Sequence, residues 1–62
     1  MDLEQLRKRI VDFHEEEGVS YKYIANILNI NVNTFYSFTN GNRSLSESNL
    51  NNLDDYLKQR GY

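Results

Sequence analysis

The chain has no cysteine, so neither a disulfide nor a thiolate metal site is open to it, and nothing ties it to an oxidising compartment. Its one histidine, His14, is too few for a zinc site of useful ligand count or for a histidine-based triad within one chain. No Gly-rich phosphate loop occurs. The acid groups Glu15 to Glu17 and Asp54-Asp55 are expected on solvated helix ends, without the apolar burial that raises a general acid's pKa. These absences argue against an enzyme, and no cofactor and no metal is expected. No apolar run approaches the roughly 20 residues that span a bilayer, and the opening MDLEQLRKRI carries acids and no apolar signal-peptide core. A cytoplasmic protein, neither secreted nor in a membrane, is therefore expected. With 62 residues there is room for one domain around one thin core.

Acids are missing from one long stretch. All nine lie outside residues 18 to 46, where Lys22 and Arg43 are the only charges, although the whole chain has a formal charge of -2. A net negative chain is a poor start for a nucleic-acid binder, because affinity for DNA comes largely from cations that neutralise phosphate. The asymmetry along the chain restores the possibility, since the local field of residues 18 to 46 is positive. Alone, such a stretch is equally a weakly charged piece of core.

The pattern predicts four helices and an all-α fold. Leu3, Leu6, Ile10 and Phe13 recur at helical spacing, with Asp2 and Gln5 as a capping box and Gly18 as the stop, giving a first helix over 2–17. Arg7, Lys8 and Arg9 form a basic cluster that either meets phosphate or, the reading we favour, pairs with Glu4 and Asp12 on a solvated face. Ser20 caps a second helix to about Leu28, with Ile24, Ala25 and Leu28 on one face. The break at Asn29 to Asn31 leads to a third helix over 32 to about 40, capped by Asn31, with Phe35 and Phe38 inward. Val32, Asn33, Tyr36, Ser37 and Asn40 face outward without a single charge. Asn40-Gly41 closes that helix, and Asn42, Arg43 and Ser44 make a polar loop. Ser46 caps a last helix to about Arg60, with Leu50, Leu53 and Leu57 in the core, Tyr56 beside them, and Gly61 as the stop. His14 is expected on the edge of the first helix's apolar face, satisfied or solvated.

The stretch from Ser20 to Leu45, SYKYIANILNINVNTFYSFTNGNRSL, resembles the lambda-repressor-like or Cro-type helix-turn-helix family of phages and bacterial mobile elements. The resemblance covers about two thirds of the chain. It rests on Ile24-Ala25, Leu28, the turn Asn29-Ile30, and Phe35 and Phe38, with Ala25 as the small residue needed where two helices cross at roughly 90 to 120°. The run Phe38-Thr39-Asn40-Gly41-Asn42-Arg43 also resembles the end of a phage-repressor recognition helix. Asn29 stands where the family usually has glycine; asparagine is the residue that most often replaces glycine in a left-handed conformation. Tyr21 stands at a phosphate-contacting position usually held by glutamine, and the family's fifth helix is absent.

The resemblance implies a single four-helix lambda-repressor-like domain over 1–62, with the helix-turn-helix over about 20–40. It implies a sequence-specific transcriptional regulator, a repressor or autoregulator of a phage or mobile element, bound to double-stranded DNA in the bacterial cytoplasm or nucleoid. Base contacts would come from Val32, Asn33 and Ser37, with Tyr36 beside them, because amides meet adenine edges, hydroxyls donate or accept, and valine meets a thymine methyl. Tyr21, Lys22, Asn40, Asn42 and Arg43 would hold phosphates. Tyr21 reads equally well as a half-buried aromatic. Two copies on a palindromic operator, with half-sites about 34 Å apart, would offset the few cations per copy. Without a fifth helix, Tyr56, Leu57 and Tyr62 on the C-terminal helix are left as the patch for a homodimer. A DNA-binding fragment of a larger regulator is a third possibility, although Met1 and the closing Gly61-Tyr62 suggest a whole small protein. A rival of another class keeps the fold but binds protein: an antirepressor, or an inhibitor whose acidic first and last helices imitate nucleic acid.

Overall fold

Asp2 accepts hydrogen bonds from the Glu4 and Gln5 amides and so starts the first helix, α1, Leu3–Glu17, which Gly18 ends at a left-handed φ of 69°. The computed structural model describes residues 2 to 62 and contains, among these, four helices and no strand. Ser20 accepts from the Tyr23 amide at the start of α2, Tyr21–Ile27. Asn31 accepts from Thr34 at the start of α3, Val32–Thr39, and Ser46 from Asn49 at the start of α4, Glu47–Gln59. Each side-chain oxygen satisfies an amide that the helix itself leaves unpaired. The expected capping residues are thus all in place, and the elements end within a residue or so of expectation.

The stops of α2, α3 and α4 share one geometry. Ile30 N–H reaches back to the Ala25 carbonyl, Asn42 N–H to Ser37 and Tyr62 N–H to Leu57, at 2.8 to 2.9 Å. The residue before each donor, Asn29, Gly41 or Gly61, has positive φ. These are paired C-terminal bonds of the Schellman type, which require a left-handed residue just past the helix. Asn29 at φ 57° is, among the described residues, the one position where a side chain accepts that conformation, as its short amide allows.

The core is one cluster: Leu6, Ile10 and Phe13 of α1, Ile24 and Ala25 of α2, Ile30 of the turn, Phe35 and Phe38 of α3, Leu45, and Leu53, Tyr56 and Leu57 of α4. α1 packs against α3 and α4, and α2 against α3. The C-terminal patch expected for a homodimer is largely inward. Tyr56 and Leu57 are 7 % and 0 % exposed, and Tyr62 lies edge-on to Phe13 with ring centroids 5.2 Å apart, so these side chains offer little surface to a second copy. The physical reason is spacing, because 53, 56 and 57 form a single inward stripe of α4. Phe13 meets Tyr56 edge-on from inside, and the Arg60 guanidinium covers its ring at 3.6 Å.

The basic cluster also resolves differently along its length. Lys8 pairs with Asp12 at 3.5 Å on the surface, as expected. Arg9 instead crosses to α4, donating from Nη1 to Asp54 and from Nε to the Tyr62 main-chain oxygen, both at 2.6 Å. Asp54 is accordingly not on a solvated helix end: Lys58 takes its other oxygen at 2.9 Å, and its side chain is 14 % exposed.

These contacts fix the pH response. Hydrogen bonds from Arg9 and then Lys58 hold the Asp54 carboxyl below its ordinary 3.8. The unfolded chain therefore binds that proton first on acidification, and the stabilisation is full above pH 3.8 and lost as pH falls through the lower folded value. At the alkaline end, the hydrogen bond to Glu17, with burial and further acidic groups, pushes the Tyr62 hydroxyl up to about 12. The unfolded chain loses that proton first, so this contribution fades as pH rises from 10 to about 12. Urea midpoints measured against pH should fall on both limbs, with Asp54→Asn flattening the acid limb alone and Tyr62→Phe the alkaline limb alone.

Candidate nucleic-acid interface

The first turn of α2, the outer side of α3 and the loop after it bring most of the sequence-predicted residues to one region. Asn33, Asn40, Asn42 and Arg43 are exposed, and Tyr36 is 42 % exposed. Ser37 is half-buried, while its carbonyl accepts the Asn42 amide that closes α3. Val32 departs from expectation: it is half-buried against the core rather than outward. It is the first residue of α3, and a helical side chain leans toward the N-terminal end, which carries this one over the connection from α2. A thymine methyl would reach only its remaining edge.

Tyr21 is half-buried. Its ring stacks on His14 at 4.0 Å, and it meets Phe35 and Tyr36 edge-on at 5.9 and 5.8 Å. Burial first, then the charge of Glu15 and then Tyr36, raises its pKa, so the hydroxyl remains a donor well beyond neutrality. His14 donates from Nδ1 to the Val19 carbonyl, which fixes the ring against which Tyr21 stacks. The aromatic reading of Tyr21 is thus realised, and its hydroxyl retains a donor for a neighbouring acceptor.

The loop after α3 is held from below by a residue assigned to no site by sequence reasoning. Arg7 Nε donates to the Phe38 carbonyl at 2.8 Å, and Nη2 to the Arg43 carbonyl at 3.4 Å. Its guanidinium lies 4.9 Å from the Phe38 ring centroid, while Nη1 pairs with Glu4 at 2.7 Å. One planar cation with several fixed donors can serve two carbonyls and a carboxylate together, as a lysine cannot. Arg7 is therefore mostly buried, with 15 % of its side chain exposed, and its pairing with Glu4 is only part of its role. Arg43 is oriented across the loop by a long contact from Nη1 to Thr34 Oγ1, 3.4 Å.

Electrostatically, the cations sort into two groups. Arg7, Lys8, Arg9 and Lys58 each have a carboxylate partner, and Arg60 lies over the Tyr56 ring. Lys22 and Arg43 alone, among the described residues, have neither. Of the three cations without a carboxylate partner, Arg60 lies over a ring, and the other two, Lys22 and Arg43, both fall in the stretch that holds no acid, beside exposed amides and phenols. Sequence reasoning overlooked Tyr23, Asn26 and Ile27 on the outer side of α2. The signal was present, because Tyr23 and Ile27 are apolar residues one turn apart that lie off the face of Ile24, Ala25 and Leu28.

No helix among the described residues is long and apolar enough to cross a membrane. The chain matches no family model, no curated protein and no solved structure.

Proposed function

We propose that the chain is a sequence-specific DNA-binding regulator in which α2 and α3 form a helix-turn-helix of the lambda-repressor-like kind. In this reading α3 lies in the major groove, with Asn33, Ser37 and Tyr36 toward base edges and Val32 at the margin. Tyr21, Lys22, Asn40, Asn42 and Arg43 hold phosphates and set the register. The observation that carries it is the coincidence of Lys22 and Arg43, two of the three cations without a carboxylate partner, with exposed amides of a stretch that itself holds no acid, although Glu15 of α1 acts on Tyr21. Such amides offer hydrogen bonds to base edges, and the two cations attract phosphate. Two copies on a palindrome would act as a repressor or autoregulator, the role that the sequence resemblance suggests.

The test is selection from a randomised duplex library, followed by salt titration of the selected site. Asn33→Ala should relax preference at one base position, at about 1–3 kcal/mol, and leave the others unchanged. Arg43→Ala should weaken all sequences alike and reduce the slope of log K against log salt by about 1 per copy. Absence of any enriched motif at low salt would sink the reading. The second reading, a protein-binding module, draws support from the exposed Glu15, Glu16 and Glu17 at the end of α1. It would gain if reversing these acids abolished capture of a basic partner that Asn33→Ala left untouched.

A further inference from the structure

Tyr23 and Ile27 are 57 % and 47 % exposed, although every other aromatic or aliphatic residue of α2 is at least half-buried. They lie one turn apart on the side of α2 turned away from Ile24 and Ala25. Single exposed apolar side chains need no explanation, but two large ones beside a groove form a patch. The groove, of about 380 Å³, runs between α2 and α4 and is lined by Ile27, Leu28, Asn52, Asp55, Tyr56 and Gln59.

The charges around this patch say what fits it. At 100° per residue, Lys22 and Asn26 fall on one flank of Tyr23, and Ile27 falls on the other, toward the groove and Asp55. Lys22 and Asp55 are both exposed, and neither has an ion-pair partner among the described residues. Lys58, the nearest cation on α4, is bound to Asp54. The surface thus reads cation, apolar centre, anion. Rotated by a two-fold axis through its centre, such a surface meets its own copy with each cation opposite an anion and the apolar residues together.

We propose that this face is a homodimer interface: Tyr23 and Ile27 of two copies pack across a two-fold axis, and Lys22 of each meets Asp55 of the other. A typical stable interface takes about 800 Å² per partner, which is a fifth of the 3923 Å² surface of this chain. With two apolar anchors per copy, the dimer is weak and forms in proportion to concentration. The inference stands on the α2 face; it and the DNA reading both draw on Lys22, and a Lys22 engaged with Asp55 leaves Arg43 as the main phosphate cation, while the test below contains no DNA.

Sedimentation velocity of the full chain from about 10 μM to about 1 mM should show a monomer–dimer equilibrium. Ile27→Glu, at an exposed position, should abolish it while leaving the far-UV circular dichroism and the melting temperature close to those of the parent. Lys22→Glu and Asp55→Lys should each weaken self-association at least about tenfold, and the double variant should restore it to within about threefold. A monomer throughout the range would overturn the proposal and leave the face to another partner. A dimer that survives Ile27→Glu, or a charge swap that fails to restore association, would overturn it too.

Discussion

Replacing Phe35 with alanine is expected to leave most of the chain unfolded near physiological temperature. Phe35 is fully buried at the junction of α2 and α3, where the Tyr21 ring meets its edge. Truncating a buried phenylalanine costs about 3–5 kcal/mol, through lost transfer energy and the cavity left behind. A domain of this size has only about 3–9 kcal/mol in total. The loss is therefore comparable with the whole stability. Phe35→Leu, which keeps much of the volume, should cost about 1.5 kcal/mol or less and retain a cooperative melt. Thermal denaturation followed by circular dichroism at 222 nm separates the cases, and an alanine variant that melts within a few degrees of the parent would show that the core closes over the cavity.

The second large effect is expected at Arg9. Arg9→Met removes the bond to Asp54 and the bond to the Tyr62 main-chain oxygen together. Leaving a mostly buried carboxylate without its strongest partner costs about 3–5 kcal/mol in a dry interior. Asp54 keeps the Lys58 ammonium, and 27 % of the Arg9 side chain reaches solvent, so about 2 kcal/mol is the better expectation here. The informative partner is the double variant Arg9→Met with Asp54→Leu, which exchanges the ion pair for apolar packing. It should recover at least half of the loss in urea unfolding, because the unpaired charge is what makes the single change expensive. A double variant no better than the single one would place the cost in the freed Tyr62 oxygen.

Helix boundaries were readable in the sequence because they depend on chemistry within a few residues. Asp2, Ser20, Asn31 and Ser46 each bond an amide two or three positions ahead, and Asn29 turns the chain as its place in the pattern predicts. The core faces were readable for the same reason, since 3.6-residue periodicity is local. Arg7 and Arg9 were misread because their decisive partners, Phe38 and Tyr62, lie 31 and 53 residues away. A rule based on neighbours one turn distant finds Glu4 and stops there. Val32 was misread because its outward position on the helical wheel ignores the lean of a first-turn side chain over the preceding connection. At the candidate site, the sequence identified which residues are polar and uncharged. It did not show that Lys22 and Arg43 would both be left without a carboxylate partner, since that depends on how the acids of α1 and α4 are consumed.

α2 and α3 contain seven and eight residues. Isolated helices of fewer than about 12 residues are marginal in water, so neither persists without the other elements. Yet Ile24, Ala25, Phe35 and Phe38 are among the most deeply buried side chains, so without them α1 and α4, though packed on each other, would expose one side of the shared core. Neither half can open while the other stays shut. The amide protons at the centres of all four helices should therefore exchange with solvent through a single shared opening, and the surface that faces outward on α3 moves only when the whole molecule does.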